Sequence, residues 1–151
     1  MAVYLPGFIR YLDESFGTTG QIRFKLDIDP LKLGLSQAIP IALIINETVT
    51  NSIKYAFPKN EKGIIEITMH EVADQITLTI TDNGIGIDPV LANAPSDSLG
   101  LKLIKGLSED INGNINFENA HGTKITIVFN VDPLNDSNNT SNITTKKEVY
   151  A

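Results

Sequence analysis

Glu47, Asn51, Lys54 and Tyr55 stand at i, i+4, i+7 and i+8 in the segment Leu43-Ile44-Ile45-Asn46-Glu47-Thr48-Val49-Thr50-Asn51-Ser52-Ile53-Lys54-Tyr55. On a helix turning about 100° per residue these four stack on one side over two turns, while Ala42, Ile45, Val49, Ile53 and Ala56 fall on the other. A carboxylate, an amide, an ammonium and a phenol in that order can position water, coordinate a hard cation, neutralise phosphate and hydrogen-bond or stack. Polar faces of this kind are common on solvated helices, so the helix needs company before it means chemistry.

Three further blocks supply it. In Thr81-Asp82-Asn83-Gly84-Ile85-Gly86-Ile87 an aspartate ends an alternating stretch and opens into Gly-x-Gly. A carboxylate there can accept from an exocyclic amine, and Gly84 and Gly86 allow close backbone approach of a ligand. Taken alone, Asp-Asn-Gly after a strand is a turn signal. Ser98-Leu99-Gly100-Leu101 opens the next helical pattern, where free N–H groups and the helix dipole favour an anion. His121-Gly122-Thr123 precedes the last strand and brings a hydroxyl. Gly86 leads into Ile87-Asp88-Pro89, with neither a third glycine nor a helix, so this is no dinucleotide-binding fingerprint, and the chain has no phosphate-binding Gly-x-x-x-x-Gly-Lys-Ser/Thr loop.

The elements that must position these blocks follow from periodicity. Leu5, Phe8, Ile9, Leu12 and Phe16 have helical spacing, ended by Gly17 and Gly20. Ile22, Phe24, Leu26 and Ile28 alternate as a half-buried strand. Ser36 is the expected N-cap of a long helix reaching about Phe57, with Pro40 placed in its first turn; residues 58–63 read as a polar loop. Ile65, Ile67 and Met69, then Ile76, Leu78 and Ile80, form a hairpin around Ala73-Asp74. The stretch 82–97 reads as irregular. Ser98 caps a helix carrying Leu99, Leu103, Ile104, Leu107 and Ile111 that stops at Asn112-Gly113, and two closing strands lie near Ile115–Phe117 and Ile125–Val131. The mixture predicts an α+β fold, a two-layer sandwich with helices on one face of a mixed, mostly antiparallel sheet. It divides as an N-terminal helix and strand (1–34), a core (35–133) and a polar tail (134–151) whose Asn, Ser and Thr content predicts disorder.

Composition narrows the classes. The 151 residues suffice for one hydrophobic core. Apolar content of 42% and a mean hydropathy near zero describe an ordinary globular domain. A net charge of −6 argues against a nucleic-acid partner. With no cysteine there is neither disulfide nor thiolate metal site, and no apolar run reaches membrane-spanning length. The start Met1-Ala2-Val3-Tyr4 lacks the features of a signal peptide and reads as an internal segment given a start codon. The expectation is a cytoplasmic piece of a larger protein, soluble or membrane-anchored as a whole, with no membrane contact by this domain.

In order and spacing the four blocks resemble the GHKL superfamily of ATP-binding domains (gyrase, heat-shock chaperone, histidine kinase, MutL). The helix resembles the N box, Asp82-Asn83-Gly84-Ile85-Gly86 the G1 box, Leu99-Gly100-Leu101 the G2 region, and Gly122-Thr123 the terminal glycine-threonine, over about Leu35 to Val131. Gyrase-like, chaperone and MutL members usually carry aspartate three places after the N-box asparagine, and anti-sigma serine kinases tend to have histidine at the next position. Lys54 and Tyr55 stand there instead, as in sensor histidine kinases. Tyr11-Leu12 and Pro30-Leu31 are similar to a branch related to the HWE kinases, although that group's tryptophan is absent. So is the lid phenylalanine of many histidine kinases, since residues 88–97 contain none.

The resemblance implies ATP and Mg²⁺ as cofactors and a role for each residue. Asn51 would give a side-chain oxygen to Mg²⁺ bridging the phosphates. Glu47 would orient a metal-bound water or act as base, and Lys54 would contact phosphate. Tyr55 would line the site, and Asp82 would read the adenine amine. Gly84 and Gly86 would shape the pocket, with Ile87 packed on the base. Thr123, beside Gly122, would assist Asp82 through water, and Gly100 and Leu101 would offer N–H groups to phosphate. Residues 84–97 would be a mobile lid. Neither His70, in a strand, nor His121, in a turn, has the helical setting of a phosphoacceptor. The implied partners are a histidine-containing dimerisation domain of the same full-length protein and a downstream response regulator of a two-component system. The alternative is an anti-sigma-type serine kinase or another ATPase module of this superfamily.

Overall fold

The computed structural model describes residues 2–16, 22–57, 62–85, 99–119 and 121–133. In chain order these form β1 (Ala2–Tyr4), α1 (Leu5–Phe16), β2 (Ile22–Ile28), β3 (Lys32–Gly34) and α2 (Leu35–Asn51). A π-helical turn (Ser52–Ala56) follows, then β4 (Gly63–Val72), β5 (Gln75–Asp82), α3 (Leu99–Asp110), β6 (Asn114–Asn119) and β7 (Thr123–Asn130). The expected tail, most of the expected lid, the glycines at 17 and 20, and the cap at Ser98 lie outside the described residues.

The sheet has the order β2-β4-β5-β7-β6. Only the edge pair β2–β4 is parallel; β4–β5, β5–β7 and β6–β7 are antiparallel. This is the expected mixed, mostly antiparallel sheet. Ala73 (φ 52°) and Asp74 (φ 63°) make the tight β4–β5 turn with both residues left-handed, the geometry that suits the right-handed twist of paired strands. β1 pairs with β3 in a separate two-stranded ribbon.

Alternation sends Ile65, Ile67 and Met69 of β4, Ile76, Leu78 and Ile80 of β5, and Ile125, Ile127 and Phe129 of β7 to one face. There they meet Ile41, Ile44, Ile45 and Val49 of α2 and Ile104, Leu107 and Ile111 around α3 in a single core. The opposite face is polar, and Thr68 and Thr79 hydrogen-bond across it. Leu26 is 37% exposed despite its core-facing register, because β2 is an edge strand. No helix among the described residues is long and apolar enough to cross a membrane.

The long helix departs from expectation in four ways. Its N-cap is Gly34, without a side-chain cap bond, not Ser36. Pro40 is the sixth helical residue, buried and beyond the first turn. Its ring forfeits the amide bond to Ser36 and crowds that carbonyl, and burial of the surrounding apolar residues offsets the cost. The α-helix also ends at Asn51, because Ser52–Ala56 widens into the π turn. Sequence spacing put Ala42 and Ile53 on the core side, but both are only half-buried; Ile41, Ile44, Thr48 and Ser52 point inward.

At the exit of β2, Asp29 straps the edge strand to β4. Its backbone N–H donates to the Met69 carbonyl, and its carboxylate accepts from the Glu71 N–H at 2.9 Å. His70 completes the strap, with Nδ1 3.1 Å from Asp29 Oδ1 and Nε2 3.2 Å from Asp27 Oδ2. The hydrogen bond that Asp29 accepts, aided by the charges of Asp27 and Asp29, raises the His70 pKa. The Glu71 amide and then the His70 bond lower that of Asp29. His70 is 43% exposed and Asp29 38%, so solvent screens the pair. The His70 contribution to stability is fully present below its ordinary value of about 6.5 and is lost as pH rises through the raised one. The Asp29 contribution is present above the ordinary carboxylate value and lost as pH falls through the depressed one. Urea midpoints of wild type and His70→Gln, measured at pH 5.5 and 8.5, should therefore differ more at pH 5.5. An equal difference at both pH values would rule out the charged strap.

Candidate functional site

β5 delivers the first functional side chain by simple alternation. Ile76, Leu78 and Ile80 point into the core, and Asp82 is the next inward position, 4% exposed. A buried carboxylate needs donors or it costs several kcal/mol, and three are present. Oδ1 accepts from the backbone N–H of Gly84 at 3.0 Å and of Thr123 at 3.1 Å, and Oδ2 accepts from the Ser52 hydroxyl at 2.9 Å. The Thr123 main chain thus holds Asp82 directly, whatever its hydroxyl does.

The chain leaving β5 is pinned on both sides. Asn83 exchanges bonds with Ile64 at the start of β4, its N–H donating to the Ile64 carbonyl at 3.2 Å and its Oδ1 accepting from the Ile64 N–H at 2.8 Å. The Ile85 N–H donates to the Ala56 carbonyl at 3.0 Å, closing the π turn against this loop. A β-carbon on Gly84 would lie 2.3 Å from that carbonyl, which is why only glycine fits. Gly122, with φ of 135°, passes so close that a β-carbon would lie 1.9 Å from the Asp82 carbonyl oxygen.

A second cluster forms one residue away. The start of α3 lies over the C-terminal end of α2: a β-carbon on Gly100 would stand 2.8 Å from Glu47 Oε1 and 3.1 Å from Asn51 Nδ2. Glu47, Asn51 and the N-terminal turn of a twelve-residue helix therefore converge. The carboxylate and amide oxygens form a hard donor set that fits Mg²⁺, which binds through one or two such groups together with substrate phosphates and water. The helix start suits an anion. Asn51 and Ser52 are consecutive, so a single step along the chain joins the Glu47–Asn51–Gly100 cluster to the Asp82–Gly84–Thr123 cluster. The π turn lies at that step, a distortion that often marks functional sites.

Of the other expected residues, Lys54 is exposed on the π turn and Leu101 is half-buried against the core. Because the turn is wider than an α-helix, Lys54 does not continue the stack from Glu47 and Asn51 at α-helical spacing. The Tyr55 side chain, Gly86 and Ile87 lie outside what is described. Sequence reasoning missed Ser52 and the Ala56 carbonyl. Ser52 was legible: it stands at +4, +7 and +8 from Thr48, Ile45 and Ile44, the positions that share its buried face. The Ala56 carbonyl left no signal, since any residue supplies one.

Two glycine substitutions should separate site geometry from helix propensity. Gly122→Ala meets both a forbidden φ and the Asp82 carbonyl, and should cost about 2–4 kcal/mol in urea unfolding. Gly106→Ala in α3 has nothing within 4 Å of the new carbon and should stabilise the fold by about 0.5–1 kcal/mol. Tolerance of both would mean that the Asp82 turn does not hold Gly122 as described.

Known proteins resemble this chain in sequence and fold. The profile of the histidine kinase-, DNA gyrase B-, and HSP90-like ATPases matches residues 36–133, a span that includes every site residue named above. The anti-sigma F factor of Clostridium beijerinckii is 27% identical over 131 residues, 79% of this chain and 88% of that protein. The sensor histidine kinase PdtaS of Mycobacterium tuberculosis is 28% identical over 101 residues, 66% of this chain and 20% of that protein. The chain thus spans about a fifth of the length of that kinase. The solved histidine kinase domain of the Erythrobacter litoralis blue-light activated histidine kinase has a TM-score of 0.72 at 21% identity, over 83% of this chain and 58% of that one, a likeness of fold. With about two thirds of its residues inside the matching profile, the chain belongs to the histidine kinase-, DNA gyrase B-, and HSP90-like ATPase family.

Proposed function

We propose that the chain is the ATP-binding catalytic domain of a two-component sensor histidine kinase, transferring the γ-phosphoryl group of ATP to a histidine on a dimerisation domain of a longer protein. The observation that carries this reading is the Asn51–Ser52 step, which sets the Asp82 carboxylate and the start of α3 on either side of one helix end. Lys54 and Tyr55 favour the histidine kinase branch, as does the likeness to PdtaS.

In this reading Asp82 accepts from the adenine amine, and Gly84, Gly86 and Ile87 shape the wall around the base. Gly122 lets the β7 turn approach, so that Thr123 holds the carboxylate. Glu47 positions a water or takes a proton. Asn51 supplies an oxygen to Mg²⁺, which neutralises phosphate charge when bound. Lys54 adds a point charge, Tyr55 lines the site, and the Gly100–Leu101 amides receive phosphate oxygens. Transfer forms an N–P bond on the acceptor histidine as the bond to ADP breaks. Little covalent work falls to the protein, and positioning and charge neutralisation dominate.

Neither histidine of this chain suits the acceptor role. His70 is held between Asp27 and Asp29, and His121 is in a left-handed turn at φ 55°. The expected outcome is Mg-ATP binding with little or no phosphohistidine on this chain. Calorimetric titration should show Asp82→Asn weakening ATP binding about 10- to 100-fold, the scale of a hydrogen bond to a charged group. Equal affinity would remove the base assignment, and phosphohistidine on this chain alone would overturn the separation from its acceptor.

A second reading, a serine kinase acting on a separate protein, draws on the anti-sigma F factor match, which covers most of both chains. Acid-labile phosphate on a longer chain carrying the dimerisation helix supports the first reading. Acid-stable phosphoserine on a separate substrate supports the second.

A further inference from the structure

Asp82 is already committed to three donors, and their distribution over its two oxygens is uneven. A carboxylate offers about four lone-pair directions. The Gly84 and Thr123 amides fill both on Oδ1, and the Ser52 hydroxyl takes one on Oδ2. Among the described residues one acceptor direction is left, on Oδ2, next to Ser52. Two of the three donors are main-chain amides that no side-chain substitution removes. Ser52 is the exception, 8% exposed and placed at the last α-helical residue's successor, where its own N–H reaches both the Thr48 and Val49 carbonyls.

Resting on the ATP-binding reading above, we propose that Ser52 is a positioning residue for nucleotide selection. Its hydroxyl fixes the Asp82 carboxylate with a single open lone pair, and so tunes the site to a purine that presents one N–H donor at position 6. A 6-amino group fills that direction, whereas a 6-oxo group sets an acceptor against a carboxylate and is rejected. Without the hydroxyl, both directions on Oδ2 are free and the carboxylate loses one of its three anchors, so the amine is held less firmly. Ser52 itself carries no reacting atom.

The test is calorimetric titration of the full chain with the Mg²⁺ complexes of ATP and ITP, and with inorganic tripolyphosphate. Ser52→Ala should weaken ATP about 3- to 10-fold and leave ITP and tripolyphosphate unchanged, so that the ATP-over-ITP preference shrinks by the same factor. Ser52→Thr, which restores a hydroxyl, should recover the preference. Ser52→Cys, close in size but a weak donor, should behave as Ala does and serves if the Ala variant does not fold. An unchanged preference in both Ala and Cys variants overturns the proposal. So does a parallel loss for all three ligands, which would mark a merely structural role. If Asp82→Asn loses ATP while Ser52→Ala keeps it, the Ser52 inference fails alone. If wild type does not bind ATP, or Asp82→Asn binds it as well as wild type, the underlying reading fails first.

Discussion

A carboxylate that is 4% exposed at the end of a core strand must be surrounded by donors, and the rest of the site is arranged to provide them. Asp82 draws on three separate elements: the end of α2 through Ser52, its own following turn through Gly84, and the start of β7 through Thr123. Each bond ties its segment to the end of β5. The two close backbone approaches, Gly84 on Ala56 and Gly122 on Asp82, follow from this requirement, since both amide donors can reach the carboxylate only if the chains pass without side chains between them.

The layered architecture makes that convergence rigid. Strands β4, β5 and β7 bury their inward faces under α2 and α3, so the end of β5 and the end of α2 cannot move independently. Asn51 and Ser52 then face in different directions one residue apart, toward the Gly100 helix start and toward Asp82. A continuous α-helix would place Lys54 in line with Glu47 and Asn51. The π turn breaks that line and brings the Ala56 carbonyl to the Ile85 amide, anchoring the chain where it leaves the sheet.

A second polar cluster sits toward the other end of the β4–β5 ladder. Asp82 pairs in register with Ile65, whereas His70 pairs with Thr77 near the Ala73-Asp74 turn. There Asp27 and Asp29 hold the parallel edge strand to β4 through His70 and the Glu71 amide. The two ends differ physically. At the exposed end solvent screens the charges and the pairing serves strand docking, while at the buried end the described residues give a carboxylate three donors.

Much of this was legible from residue types and spacing. The strands β4, β5 and β7 followed from period-two alternation, the helices from apolar recurrence, and the inward direction of Asp82 from its place after Ile76, Leu78 and Ile80, because these depend only on local geometry. The ordered blocks around Asn51, Asp82, Gly100 and Gly122 marked the family for the same reason. Tertiary structure decided the rest. Ser36 gave way to Gly34 as the cap, and Pro40 fell inside the helix, because burial of α2 outweighed local preference. Ser52 became a partner of Asp82, and Thr123 reached it through main chain. A hydrogen bond between residues 30 or 41 positions apart depends on how α2, β5 and β7 stack, and short-range periodicity carries no information about that stacking.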